Sequence, residues 1–313
     1  MPSFADDYER DIAAQKHSGP HLIDDERKAL NRAVFTLIKD LLPIPDIHKK
    51  SDCDLIYRFL IAKKWKPEDA AKGLREYVAF RIENRLDEIL WETVPAEMSE
   101  VLACDYSGFD TEGHPIFCDK PDPKGLGLLL DKFTKEELMR AHLRMMEIGR
   151  RLCKEYQTDR VSCILDLSLL NMAVVTNPKA MGFIKAMAHV DQTQYPENVR
   201  RMFICNGGWT FSALYKVLKP LLDPRVQEKI NFIAGGAKLT SDLEKFVKTE
   251  YIPLALGGKS KGVPLTNWQQ LRSLPVKTPP SIGQSVVSEE DLEYGSPHAS
   301  SYPVPDDVDP DDL

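Results

Sequence analysis

The sequence predicts an α/β protein in which a lobe of short helices precedes a layered domain, followed by a polar tail. Three observations lead to this fold class. Apolar residues recur with a helical period in the N-terminal part of the chain. Nearly continuous apolar runs such as residues 161–167, which are typical of strands covered on both faces, then alternate with helical patterns. Beyond Gly262 the periodicity ends, and proline, serine and aspartate accumulate.

The N-terminal helical lobe is predicted over residues 24–97, after a flexible polar segment over residues 1–23. Its first helix has one apolar face, formed by Leu30, Val34, Leu37, Ile38 and Leu41. Pro43 ends this helix. Asp52 or the serine before it caps a second helix, and Pro67 opens a third at a first helical position.

The layered domain is predicted over residues 98–262. It opens with a hairpin, because two short strand patterns flank a glycine-containing turn between Tyr106 and Phe117. The later alternation of strands and helices extends this pair into a mixed sheet with flanking helices. The predicted elements after the hairpin are helix 135–156, strand 161–167, helix 178–189, strand 201–205, helix 211–222 and strand 230–234.

The tail, residues 263–313, is predicted to be disordered, apart from a brief helix at 267–271. It contains eight of the 22 prolines and carries two basic and nine acidic residues. Since the whole chain has a net charge of −7, its first 262 residues are neutral. This balance gives no indication of the basic surface of a nucleic-acid-binding protein. No apolar run is long enough to span a bilayer, and no secretory signal is visible.

Enzyme signatures are missing: there is no G-x-S-x-G, G-x-x-x-x-G-K-[ST], H-E-x-x-H or G-x-G-x-x-G motif. Gly207-Gly208 and Gly235-Gly236 each follow an apolar strand but lack phosphate-loop spacing, so tight turns are the better interpretation. The six cysteines and seven histidines show no metal-ligand spacing. We therefore expect a protein that is not an enzyme, with structural thiols, no metal and no cofactor.

The segment from Trp209 to Leu222 is apolar on most of its circumference. Its helical stripe is formed by Phe211, Leu214, Tyr215, Leu218, Leu221 and Leu222. Trp209 suits a membrane interface, and Pro220 weakens the helix near its end because it has no N–H. The segment is either an ordinary core helix or a movable wall over an apolar cavity, which we call the gate helix.

Six motifs, taken in order, resemble those of one protein family. They are Arg58-Phe-Leu-Ile-Ala-Lys-Lys-Trp, Gly108-Phe-Asp-Thr-Glu-Gly-His-Pro-Ile, Ile164-Leu-Asp-Leu-Ser, Tyr195-Pro-Glu with Asn206, Lys219-Pro-Leu-Leu-Asp with Lys229-Ile, and Tyr251-Ile-Pro-Leu-Ala-Leu-Gly-Gly. Together they cover about residues 52–258 and are similar to motifs of the CRAL-TRIO family of lipid-binding and phosphatidylinositol-transfer proteins. Gly207-Gly208 departs from the usual Ala-Pro. The ordered set indicates the family, although each motif alone is weak.

The resemblance implies a phospholipid cargo, a mobile gate helix and a headgroup-binding cluster. By position, Lys63, Lys64 and Lys229 would neutralise the phosphate of phosphatidylinositol. Glu197 would accept hydrogen bonds from inositol hydroxyls or steady Lys229. The alternative is structural, with Glu197 simply paired to Lys229 and Lys64 solvated.

Two departures concern ligand choice. Val226 stands where inositol-binding members carry a threonine, three residues before the lysine. Val161 and Cys163 stand where members that also carry phosphatidylcholine have a serine and a threonine on the central strand. Since neither side chain replaces a hydroxyl donor, we expect weak or absent phosphatidylcholine binding and an unidentified second ligand.

The resemblance thus implies a cytosolic carrier that binds phosphatidylinositol and transfers or presents it at membranes. We expect a monomer that contacts membrane surfaces transiently and is peripherally associated with endomembranes such as the Golgi or endosomes. A lipid kinase is a candidate partner. Two alternatives stay open: a carrier or sensor of another hydrophobic ligand (a sterol, a tocopherol-like molecule or haem), or a scaffold that docks on membranes.

Overall fold

A computed structural model describes residues 4–14, 23–102, 104–233 and 235–265. Within them, six strands form one mixed sheet in the order β5-β4-β3-β2-β1-β6. The strands are Cys104–Phe109 (β1), Pro115–Asp119 (β2), Val161–Asp166 (β3), Val199–Cys205 (β4), Ile230–Ile233 (β5) and Val263–Pro264 (β6). Strands β2 to β5 are parallel, whereas β1 runs antiparallel to both β2 and β6. The predicted α/β class with a mixed sheet is confirmed.

The N-terminal lobe consists of helices packed around one apolar cluster. The helices are Phe4–Ala14 (α1), Asp25–Leu37 (α2), Asp52–Ala62 (α3) and Pro67–Glu83 (α4). The Asp24 carboxylate accepts from the backbone N–H of Arg27 at 2.8 Å, and Ser51 caps α3 in the same way. Helix α1 corrects the expectation of a flexible N-terminus, because Tyr8 and Ile12 are buried in the cluster.

The sheet is covered by helices on both faces. The helices of this part are Ala96–Val101 (α5), Pro123–Lys132 (α6), Lys135–Glu155 (α7), Met172–Thr176 (α8), Pro178–Gln194 (α9), Gly208–Leu218 (α10), Pro224–Glu228 (α11) and Leu239–Glu244 (α12). On one face, Ile164 and Phe203 pack against Leu239 and Leu243 of α12. On the other face, α7 packs closely on β2, since a Cβ on Gly149 would meet the Phe117 ring at 2.7 Å.

We call this second surface the cavity face; it carries Phe117, Cys163, Leu165, Met202 and Phe232. Cys163 and Leu165 are only half-buried, although β3 has paired strands on both sides. Their accessible surface therefore cannot come from a sheet edge. It indicates open space between the sheet and the helices that cover this face.

Element ends differ from the predictions in a few places. Helix α9 continues through a polar last turn to Gln194, beyond the apolar periodicity that predicted its end at 189. The predicted gate helix becomes α10 followed by a 3-10 turn, Lys219–Leu221, because Pro220 cannot donate to the helix. The predicted disorder from residue 263 is wrong for the first residues of the tail, because Val263 and Pro264 form β6 beside β1 and Leu265 is buried. Ala234, expected to end the last long strand, lies outside the described residues, as does the tail from residue 266 with its predicted helix at 267–271.

Candidate functional site

The gate helix α10 begins three residues after β4, where the chain leaves the C-terminal edge of the parallel strands. Phe211 and Tyr215 stack at 5.6 Å between ring centroids, and each lies 5.7 Å from the ring of Phe232 on the cavity face. This aromatic triple connects the helix to β5. It places the inner side of α10 over the open part of the sheet.

The outer side of α10 is apolar as well. Trp209 is 69% exposed, and Leu221 and Val217 are also exposed. Only Thr210 and Leu214 of this helix are buried, whereas Leu218 and Leu222 are intermediate. An ordinary core helix would bury most of such a surface. The burial pattern therefore favours a wall that is apolar on both sides.

Polar side chains hold the end of the gate segment. The side-chain amide of Gln192 on α9 donates to the Leu221 carbonyl at 2.9 Å, and its oxygen accepts from the Asp223 N–H at 2.7 Å. Gln227 donates to the carbonyls of Lys219 and Leu222 at 3.2 and 3.0 Å. These side chains attach the gate segment to α9 and α11 without burying its apolar surface.

A cluster of charges surrounds Glu197, which lies just before β4. Its carboxylate is 6% exposed and bonds the Lys229 ammonium at 2.8 Å. The guanidinium groups of Arg225 and Arg160 lie 3.7 and 3.9 Å from it. Burial alone would raise the pKa of Glu197, but these cations, Lys229 foremost, hold it below its ordinary value. The predicted pair of Glu197 and Lys229 is therefore brought together, in a cationic surrounding.

The backbone of Glu197 is also held. The residue has φ +55°, in the left-handed region, and its carbonyl accepts from Arg58 of α3 at 3.0 Å. Arg58 also donates to the Asp159 carbonyl and pairs with Asp54 at 2.8 Å. The helical lobe thus fixes the loop that presents Glu197.

Arg225 on α11 connects the cluster to the end of α3. It donates to the carbonyls of Ile61 and Ala62, the latter at 3.2 Å, and bonds Asp223 at 3.0 Å. Those carbonyls immediately precede Lys63 and Lys64. The exposed Lys64 has φ +54° and helps to lower the pKa of Asp223, although the bond from Arg225 is the main cause. Lys63 is half-buried, with no polar contact that would tie it to the cluster.

The second-ligand strand is β3. Val161 is buried, and Cys163 is half-buried on the cavity face. Burial raises the pKa of the Cys163 thiol to about 12, so the group is neutral and only a weak donor near neutral pH. Among the described residues, no group of His, Cys, Asp and Glu could hold a metal ion, and no helix is long and apolar enough to cross a membrane.

Comparisons with known proteins agree with this fold. A model of the CRAL/TRIO domain matches residues 100–258. The Arabidopsis thaliana phosphatidylinositol/phosphatidylcholine transfer protein SFH7 is 26% identical over 273 residues, covering 82% of this chain and 49% of the relative. The SEC14 cytosolic factor of Eremothecium gossypii is 24% identical over 247 residues, covering 76% of this chain and 75% of that protein. The crystal structure of Sfh5 matches with a TM-score of 0.58 and 16% identity, over 93% of this chain and 100% of that one.

The fold and the site thus define an α/β protein with an open apolar sheet face beneath an apolar helix and a cationic cluster at the rim. The chain belongs to the CRAL/TRIO domain family, whose model covers half of it. The chain spans about half the length of the first curated relatives it matches. The likeness to Sfh5 shows that the fold is shared.

Proposed function

We propose that this protein is a non-enzymatic lipid carrier that binds phosphatidylinositol and transfers or presents it at membranes. The observation that carries this proposal is the cationic cluster around Glu197 at the rim of an open, helix-covered apolar face. An anionic headgroup matches the cluster, and acyl chains match the face. Relatives named as phosphatidylinositol/phosphatidylcholine transfer proteins support the same class of cargo.

The physical requirement for such a carrier is a dry space with an entrance. Each lipid methylene is worth about 0.8 kcal/mol when buried, so a two-chain phospholipid leaves a membrane only if its chains are covered at once. The half-buried Cys163 and Leu165 provide the floor of such a space, and α10 provides its wall. The exposed Trp209 would meet the membrane interface when the wall moves.

In this proposal the headgroup phosphate lies between Lys229 and the end of α3, where Lys63 and Lys64 are available to it. Glu197 accepts from inositol hydroxyls while it keeps the Lys229 ammonium in place. Transient contact with Golgi or endosomal membranes and presentation to a lipid kinase belong to the same proposal.

Native mass spectrometry of the purified full chain, followed by organic extraction, tests the proposal directly. We expect phosphatidylinositol at near one molecule per protein, either as purified or after incubation with vesicles that contain it. If the protein carries a different apolar molecule, such as a sterol or haem, the carrier function stands but phosphatidylinositol is not its ligand. A protein that stays empty after incubation would contradict the carrier function and favour a docking scaffold.

The double substitution of Val161→Ser and Cys163→Thr is expected to increase phosphatidylcholine loading by at least about tenfold, because two hydroxyl donors to a charged phosphate become available. Loading from vesicles of equal phosphatidylcholine and phosphatidylinositol content, read by mass spectrometry, checks this. The matched control is Val161→Ala with Cys163→Val, because alanine and valine are close in volume to serine and threonine but add no hydroxyl donor. Equal loading of the two variants would contradict the predicted role of this strand.

A further inference from the structure

One carboxylate stands alone among apolar side chains on the cavity face. Asp119 ends β2, and the strand register places it in one row across the sheet with Cys104, Leu165, Ile204 and Phe232. Every other member of this row is apolar or a thiol. The next row, formed by Tyr106, Phe117, Cys163, Met202 and Ile230, has no charged member either.

Asp119 is half-buried, although β2 is an internal strand paired with β1 and β3. The strand register places it on the same face of the sheet as Cys163 and Leu165. Within the described part of the chain, no Lys, Arg or His nitrogen forms an ion pair with Asp119. Burial raises the pKa of Asp119 to about 6, and the positive charge of His142 opposes this only in part.

The side chain whose positive charge lowers the pKa of Asp119, His142, is already bonded to another carboxylate. His142 of α7 bonds Asp191 of α9 at 2.7 Å, and its side chain is 9% exposed. Burial opposes the charge of His142, but Asp191 and then Asp119 raise its pKa above the ordinary value. Since His142 is paired with Asp191, Asp119 keeps the backbone N–H of Lys120 as a hydrogen-bond donor but, among the described residues, has no cationic side chain of its own.

The other titratable groups around Asp119 do not change this balance. Lys120 points to the opposite face, where its ammonium lies 3.5 Å from Asp166. Asp105 adds negative charge from β1. The thiols of Cys104 and Cys163 have pKa values raised by burial, so they are neutral. A net negative charge thus lies inside an apolar space.

This site is separate from the cluster around Glu197. Three strand spacings of about 4.8 Å lie between β2 and β5, so Asp119 is about 14 Å from the Lys229 side of the sheet in the pairing direction alone. Within the residues that the structure describes, three cations surround Glu197, whereas Asp119 has no cationic side chain bonded to it. A phosphate that suits the first would be repelled at the second.

We propose that Asp119 forms a second polar subsite, which binds the ammonium group of a long-chain lipid amine lying along the cavity face. An ammonium compensates the isolated carboxylate, and the apolar rows cover the chain. A neutral hydroxyl would form a hydrogen bond but leave the charge uncompensated. The proposal shares one premise with the carrier function, namely that the space admits an acyl or alkyl chain.

Three probes with the same alkyl chain test the subsite: oleylamine, oleyl alcohol and oleic acid, titrated against the full chain near pH 8. We expect oleylamine to bind at least about tenfold more tightly than oleyl alcohol, and oleic acid to bind most weakly. Asp119→Asn should remove the difference between amine and alcohol. The control is Asp131→Asn, which changes an exposed carboxylate of α6 and should keep the preference.

The wild-type protein offers a second measurement that needs no variant. Near pH 5 Asp119 is protonated, because its pKa is about 6, whereas an alkylamine with a pKa of about 10.4 stays charged. The preference for oleylamine should therefore disappear in acid. Equal binding of amine and alcohol near pH 8, or a preference that survives Asp119→Asn, would overturn the proposal.

Phosphatidylinositol loading is measured on the same samples to separate the two proposals. In Asp119→Asn the Glu197 cluster is untouched, so we expect phosphatidylinositol still to load while the preference for oleylamine is lost. Amine selectivity without phosphatidylinositol loading would contradict the headgroup assignment alone. Phosphatidylinositol loading without amine selectivity would contradict the subsite alone.

Discussion

Replacing Lys229 with alanine is expected to lower phosphatidylinositol transfer by at least about thirtyfold, since truncating one member of a buried charged hydrogen-bonded pair costs about 2–5 kcal/mol of binding. Lys229 is the cation closest to Glu197, and its side chain is largely buried. Without it, Arg225 and Arg160 still lie within 4 Å of the carboxylate, so the fold should survive. Transfer of phosphatidylinositol between vesicles measures the effect.

Lys64→Ala is the companion variant, with a smaller expected effect because Lys64 is exposed and its charge is screened. The control is Lys72→Ala, which removes a lysine of α4 that is 79% exposed. Thermal unfolding of each variant shows whether the fold is intact. If Lys229→Ala and Lys64→Ala both transfer phosphatidylinositol like wild type, the headgroup assignment is wrong.

The fold was predictable because each element carries its own local pattern. The continuous apolar run of β3 requires cover on both faces, and Pro67 and Asp24 mark helix starts by their own chemistry. The N-terminal helix α1 was missed because Tyr8 and Ile12, two residues four positions apart, are too short an apolar pattern to predict a helix. The burial of Tyr8 depends on α2, where the Asn31 side-chain oxygen accepts a hydrogen bond from the Tyr8 hydroxyl and the Phe35 ring stacks on the Tyr8 ring.

The candidate site was predictable only in part. Glu197 and Lys229 were found because they lie in short motifs. Arg225 was missed because its partners are backbone carbonyls 163 and 164 residues earlier in the chain. Every residue has such a carbonyl, so the sequence does not show which ones accept a hydrogen bond. Asp119 was missed for a different reason. Its isolation appears only when strand register places it in a row with residues from four other strands.

The second large effect is expected at the junction between the helical lobe and the sheet domain, where a buried ion network lies. Arg81 of α4 bonds Glu147 of α7 at 2.8 Å and Asp46 at 3.1 Å. Arg150 pairs with both carboxylates. The carboxylates of Glu147 and Asp46 have no accessible surface. Removing one charge would leave buried guanidinium groups without full compensation.

We therefore expect Glu147→Gln to lower the free energy of unfolding by about 3–5 kcal/mol, which corresponds to a drop of about 10 °C in the midpoint of thermal unfolding. Chemical denaturation measures the first and a thermal scan the second. Glu155→Gln, on the same helix but in a partly exposed pair with Arg151, should change stability by less than about 1 kcal/mol. A Glu147 variant as stable as the Glu155 control would show that the network adds no net stability.

The network also reaches the proposed headgroup cluster. The Tyr195 hydroxyl donates to Glu147 at 2.9 Å, and Glu197 follows two residues later in a left-handed conformation that the surrounding contacts must hold. Loss of the Glu147 charge should therefore weaken phosphatidylinositol loading even at temperatures where the variant is folded. Loading at 20 °C measures this. Unchanged loading in a destabilised variant would mean that Arg58 and the cations around Glu197 hold the cluster without help from the lobe junction.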